Sequence, residues 1–121
     1  MLAFLKRYLA RRRLWPVVMR MPHQLQSSFG ASDVYTTLQV RRAITDLRLP
    51  QKVWLHALAL ACSPQVLDDE AHMARETYER LRAEMADLFG LPDHFTMNYL
   101  QSKRFAQHHP APENEYSSGG H

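Results

Sequence analysis

The stretch that decides the fold is "TTLQVRRAITDLRLPQKVWLHALALAC", residues 36–62. Thr36 and Gln39 have the spacing of a capping box, in which each side chain accepts a hydrogen bond from the other residue's backbone amide at a helix start. Apolar residues then recur at the i, i+3, i+4, i+7 spacing of one helix face: Val40, Ala43, Ile44 and Leu47. The pattern predicts a helix that packs one face against a core.

The second half of this stretch predicts a central, buried helix. Pro50 suits the first turn of a helix, and nearly every residue from Val53 to Cys62 is apolar. The outline resembles a helix-turn-helix, but a DNA-reading helix needs polar and basic side chains that reach base edges. Two core helices that meet at a corner explain the residues better. The predicted core is Val40, Ile44, Leu47, Trp54, Leu58, Leu81 and Met85.

Other helix boundaries follow from proline, glycine and small polar residues. Pro16 either starts a new helix or kinks the first one, and Pro22 opens a short helix that Gly30 ends. Ser63 and Pro64 form a cap followed by a first-turn residue. Whether residues 64–73 join the following helix stays open.

An acidic helix that ends at Gly90 comes next in the chain. Its predicted apolar stripe is Ala74, Tyr78, Leu81, Met85 and Leu88. Asp93 is predicted to cap a last helix, "HFTMNYLQSKRF", with Phe95 and Tyr99 facing inward.

The whole chain is predicted to be all-α, a compact bundle of about five to six short helices. With 121 residues, 45% apolar and 22% charged, it fits one soluble domain over residues 1–106. Residues 107–121 have little to bury and form a predicted disordered tail. Only Gly30 and Gly90 precede the terminal glycine pair, which excludes glycine-rich phosphate loops.

The segment "FLKRYLARRRLW", residues 4–15, carries the predicted contact surface. At about 100° per residue, one arc of the helix holds the large apolar residues Leu2, Phe4, Leu5, Tyr8, Leu9 and Trp15. Arg12 falls within this arc and has either to extend its guanidinium into water or to pair with a carboxylate. The candidate contact residues lie on the other side: Lys6, Arg7, Arg11 and Arg13.

Three interpretations of this helix remain open. Phe4, Tyr8 and Trp15 can pack on the body, so that the basic residues form only a solvated face. The helix can instead contact a protein partner or an anionic membrane surface. Nucleic acid is a further alternative, because basic residues bind phosphates nonspecifically.

Catalytic and metal-binding patterns are weak. Asp69, His72 and Glu76 can share a helix face, but no complete zinc motif is present. Cys62 and His56 are six residues apart, about 240° around a helix axis, and so do not form a thiol–imidazole pair. Glu84 and Asp87 are predicted to be solvated. We therefore expect no enzyme, metal, cofactor or identifiable small-molecule substrate.

The location expected from the sequence is the cytoplasm, with a peripheral contact to the membrane as an option. A lone cysteine forms no internal disulfide, which suits a reducing compartment. No apolar run reaches the roughly 20 residues needed to span a bilayer. Residues 1–32 hold six Lys/Arg and no acid, as transit peptides do, but they contain no serine before Ser27.

Three segments resemble a small family of bacterial helical proteins of unknown function. They are "GASDVYTTLQVRRAITDL", "ALALACSP" and "YERLRAE", and the resemblance covers roughly residues 16–90. It implies a small cytoplasmic helical domain and transfers no catalytic residue. Together with the residue patterns, it favours a non-enzymatic interaction module that uses its basic N-terminal helix.

Overall fold

The computed structural model describes residues 2–102 and Phe105, and the regular structure there is helical throughout. This part of the chain contains six helices of eight residues or more and one four-residue helix. Their bounds are α1 Leu2–Met19, α2 Met21–Phe29, α3 Thr37–Leu47, α4 Trp54–Ala61, α5 Pro64–Ala71, α6 Arg75–Phe89 and α7 Met97–Leu100. The all-α prediction is confirmed. The predicted tail, residues 107–121, lies outside the described residues.

Helix α4 lies at the centre of the core, where it packs against α1, α3, α5 and α6. Most of the predicted core is confirmed as buried: Val40, Ile44, Leu58, Leu81 and Met85. Leu47 is half-buried and packs against this core. Trp54 was predicted to be buried, and this was wrong, since 43% of it is exposed. It starts α4 directly after a 3-10 turn, at the rim of the core, where its indole Nε1 donates to the Leu49 carbonyl at 3.1 Å.

The capping box at the start of α3 is confirmed. The Gln39 amide donates to Thr36 Oγ1 at 3.1 Å, and the Thr36 amide donates to Gln39 Oε1 at 3.0 Å. Ser63 also caps α5 as predicted, accepting from the Val66 amide at 3.3 Å. The box thus satisfies two amides at the start of α3 that have no acceptor within the helix, those of Thr36 and Gln39.

The prediction that Asp93 caps the last helix was wrong. His94 has a φ of 54°, in the left-handed region, and therefore cannot be the first residue of a right-handed helix. The helix begins at Met97 instead, with Thr96 as its cap, and the Tyr99 amide donates to Thr96 Oγ1 at 3.1 Å. Phe95 is nevertheless buried and Tyr99 half-buried, as the sequence indicated.

The stretch 64–73 does not join the following helix, because Pro64–Ala71 forms the separate helix α5. Helix α5 ends because His72 adopts a left-handed φ of 53°, and α6 starts only after Ala74. Ala74 is exposed and precedes the helix, so its assignment to the apolar stripe was wrong. Leu88 and the other later members of the stripe are at least half-buried, and Gly90 ends α6 with a left-handed φ of 64°.

The carboxyl end of α4 shows how a distant side chain completes the fold. The last four carbonyls of a helix have no intrahelical amide partner. Arg82 Nη1, from α6, donates to the carbonyls of Ala59 at 2.9 Å and Leu60 at 3.0 Å. The Tyr35 amide donates to the Ala61 carbonyl at 2.8 Å. These contacts fix α6 and the segment before α3 to the end of the central helix.

We expect Thr36→Ala to lower the free energy of unfolding by about 1 kcal/mol, because an amide in the first turn of α3 loses its acceptor. Thr36→Ser keeps the hydroxyl and should cost much less. Urea denaturation followed by circular dichroism measures both changes. Equal losses in the two variants would show that the threonine methyl group, and not the cap, stabilises this turn.

Candidate interaction surface

Helix α1 divides into two halves with opposite environments. Its carboxyl half is anchored in the core, where Leu14, Val17 and Val18 are fully buried. The helix runs through Pro16 without ending, so Pro16 does not begin a new helix. By contrast, every residue from 2 to 9 is exposed. The amino half of α1 therefore presents its side chains to solvent.

The exposed side chains of this half include five large apolar ones, which we call the apolar strip: Leu2, Phe4, Leu5, Tyr8 and Leu9. All five are more than half exposed, and Phe4 reaches 76%. Of the three residues considered for packing on the body, only Trp15 does so. The interpretation in which Phe4 and Tyr8 anchor the helix was therefore wrong.

Two basic residues hold the amino half of α1 against the end of α6. Arg7 Nη1 lies 2.6 Å from Asp87 Oδ2, and its Nη2 donates to the Asp87 carbonyl at 2.8 Å. Arg11 Nε donates to the Leu88 carbonyl at 3.1 Å, and its guanidinium carbon lies 4.8 Å from the centre of the Phe89 ring. Cations are favoured here, because the carboxyl end of a helix carries partial negative charge and unpaired carbonyls.

The four predicted contact residues are thus not equivalent. Arg7 and Arg11 contact α6, whereas Lys6 and Arg13 are exposed and have no hydrogen bond or ion pair with any described residue. Arg12, within the apolar arc, is exposed as well. The side chains of Lys6, Arg12 and Arg13 therefore lie beside or within the apolar strip and are available to bind an external anion.

The other candidate groups have internal partners or are buried. Asp87 is exposed as predicted, although it also pairs with Arg7. Glu84 was predicted to be solvated, but it is half-buried and its Oε1 lies 2.9 Å from His56 Nε2. Burial raises the pKa of the Cys62 thiol to about 12, with Glu70 adding to the shift, which keeps it protonated at neutral pH.

No metal cluster is found among the residues that the structure describes. Groups of three or more potential ligands are absent there. The break at His72 separates Asp69, on α5, from Glu76, on α6, so the three residues do not share a helix face.

The chain matches the model of a family of unknown function, DUF6559, over residues 5–121. It belongs to this family. The DUF6559 match confirms the sequence resemblance to a small family without an assigned activity. No curated protein and no solved structure matches the chain. Within the described part of this DUF6559 chain, none of the helices has the length and apolar character needed to cross a membrane.

The sequence predicts an apolar arc and basic residues on α1, but it does not indicate which side of the helix faces the core. The helix extends past the core, so its apolar arc meets solvent while Arg7 and Arg11 reach back to α6. These contacts join residues that are 80 and 77 positions apart in the chain. A short-range sequence pattern carries no signal for them.

Proposed function

We propose that this DUF6559 chain is a non-enzymatic peripheral module that binds an anionic membrane surface through the amino half of α1, from the cytoplasmic side. The observation that carries the proposal is the exposure of the apolar strip beside unpaired cations. Interfacial helices combine large apolar residues, which insert into the lipid boundary, with Lys and Arg, which attract acidic headgroups.

Charge supports this choice of partner. The first acidic residue of the chain is Asp33, so α1 and α2 carry no negative side chain of their own. Lys6 and Arg13 lie on one side of the apolar strip when α1 is drawn at about 100° per residue, and Arg12 lies inside it. A long arginine side chain can extend from an inserted helix to the headgroups.

Two double variants test the two components separately. Phe4→Ala with Tyr8→Ala removes apolar insertion, and Lys6→Glu with Arg13→Glu reverses the unpaired charge. Arg7 and Arg11 are left intact because they hold α1 on α6. Matched controls on other exposed positions are Val34→Ala with Leu38→Ala, and Lys52→Glu with Arg80→Glu.

Binding is measured by co-sedimentation with phosphatidylcholine vesicles, with and without about one third phosphatidylserine. We expect binding to the anionic vesicles alone, and a loss of at least about tenfold in each α1 variant. Each basic residue near such a surface contributes on the order of 1 kcal/mol, and burial of a large apolar side chain contributes about 1.5–3 kcal/mol. The control variants should bind as the native chain does. High salt should weaken the native interaction without removing its apolar component.

Three outcomes would overturn the proposal. The first is no binding to anionic vesicles. The second is vesicle binding that the Phe4 and Tyr8 changes leave intact. The third is stronger binding to duplex DNA that depends on Lys6 and Arg13 but not on the apolar strip, which would support nucleic-acid association instead.

A further inference from the structure

A surface pocket lies between α6 and the segment that follows it, remote in sequence from the apolar strip. Its volume is about 580 Å³, within the usual size of small-molecule sites. Its lining includes the cationic, aromatic and polar side chains Arg75, Tyr78, Arg82, Asp93, His94 and Phe95.

Arg82 has donors left over inside this pocket. Its Nη1 group donates to Ala59 and Leu60, and its Nη2 group donates to the Phe95 carbonyl. A guanidinium has five N–H donors, so the Nε–H and one Nη2–H have no acceptor among the described residues. Spare guanidinium N–H groups of this kind are donors that carboxylate and phosphate oxygens accept from.

The charge of Arg82 also lacks a counterion. No carboxylate in the described part of the chain lies within ion-pair distance of it. Burial lowers the pKa of Arg82, because desolvation disfavours its charged form. Neutral carbonyl dipoles compensate a buried charge only in part, so an external anion would stabilise this guanidinium further.

Two aromatic rings flank the same guanidinium. Its carbon lies 4.0 Å from the centre of the Phe95 ring and 5.5 Å from that of Tyr78. The Phe95 ring is buried, whereas Tyr78 is half-buried and lines the pocket. Tyr78 therefore offers an apolar surface beside the Arg82 guanidinium, against which the uncharged part of a ligand can pack.

The remaining charged groups of the lining set the expected electrostatics. Arg75 and Glu79 both line the pocket and form an exposed pair, in which Arg75 Nε lies 3.4 Å from Glu79 Oε2. The guanidinium carbon of Arg75 is 5.9 Å from the centre of the Tyr78 ring. Asp93 is exposed at the rim and opposes an incoming anion. Substitutions at Arg75 and Asp93 should therefore change anion affinity in opposite directions.

We propose that this pocket binds a small organic oxyanion, with the two spare N–H donors of Arg82 binding the charged oxygens and Tyr78 contacting an aromatic or other apolar body. The shared ligand chemistry is a carboxylate or phosphate monoester. This site is independent of the membrane contact proposed for α1.

The test titrates isotope-labelled full-length protein with benzoate or phenyl phosphate and follows the backbone amides by NMR. We expect saturable shifts around Tyr78, Arg82 and Phe95, with the amides of the apolar strip unmoved. Benzyl alcohol supplies the ring without the charge and should give no saturable shift. Saturation by only one of the two anions supports the proposal and identifies the charged group of the ligand.

Variants at the rim keep the test independent of the structural role of Arg82. Arg75→Gln should weaken binding and Asp93→Asn should strengthen it, each by about fivefold, the size expected for one unit charge across a water-exposed site. Lys52→Gln, which changes an exposed cation outside the pocket, is the matched control and should leave the affinity unchanged.

Each contrary result overturns the inference. Absence of saturable shifts with both anions would mean that the carbonyls alone satisfy Arg82. Equal binding of benzyl alcohol would show an apolar cleft without anion selectivity. Affinities that neither Arg75→Gln nor Asp93→Asn alters would place the anion elsewhere.

Discussion

Leu58→Ala is expected to lower the free energy of unfolding by about 2–5 kcal/mol, the range for a large-to-small change in a packed interior. Leu58 lies on the central helix α4 and is 6% exposed, so its truncation leaves a cavity among neighbours that relax only in part. Urea denaturation monitored by circular dichroism gives the free energy directly.

Leu55→Ala is the matched control, since it makes the same chemical change three residues earlier on α4. Leu55 is 53% exposed, and its truncation should cost no more than about 0.5 kcal/mol. Similar losses at both positions would show that the two leucines share one environment and that α4 is rotated from the orientation described.

Arg82→Met should lower the free energy of unfolding by about 2–4 kcal/mol, because three carbonyls lose their donor and water can reach them only in part. The methionine keeps much of the apolar stem, so the loss reports on the guanidinium. Arg82→Lys retains a charge but not the planar fork and should fall between the native chain and Arg82→Met.

Arg80→Met is the control for this series, because Arg80 is an exposed arginine on the same helix. Its replacement should change stability by less than about 0.5 kcal/mol. A loss below about 1 kcal/mol for Arg82→Met would contradict the capping role, since even one buried carbonyl without a partner costs that much.

The features predicted correctly are those that neighbouring residues decide. The capping box of Thr36 and Gln39 and the Ser63 cap each depend on contacts across three positions. The helical periodicity of Val40 and Ile44 is equally local. Such features can be read from a short window of sequence because the interacting groups lie within one helical turn.

The wrong predictions concern where an element meets the core or ends. Trp54 was predicted to be buried because it is apolar, but burial depends on how far α4 extends from the packed region. Asp93 is a favourable cap residue, yet the left-handed backbone of His94 excludes a helix there. Neither the reach of a helix nor the path of a connecting segment follows from composition.

The candidate site was predicted only in part for the same reason. The sequence identified the basic residues of α1, but the division between Arg7 and Arg11 on one hand and Lys6 and Arg13 on the other depends on α6. The interior use of Arg82 was missed as well. An arginine that caps a distant helix has the same local pattern as one on a solvated face.

The two halves of α1 imply a gradient of local stability along one continuous helix. Around Leu14 and Val17 the backbone opens only when the core does, because its side chains are fully buried there. The first two turns bury little and are held on α6 by Arg7, and a short helical segment with so few contacts is marginally stable in water. They can unwind and re-form while the core stays folded. Their amide hydrogens therefore exchange through fraying, and those of the buried half through sub-global or global opening.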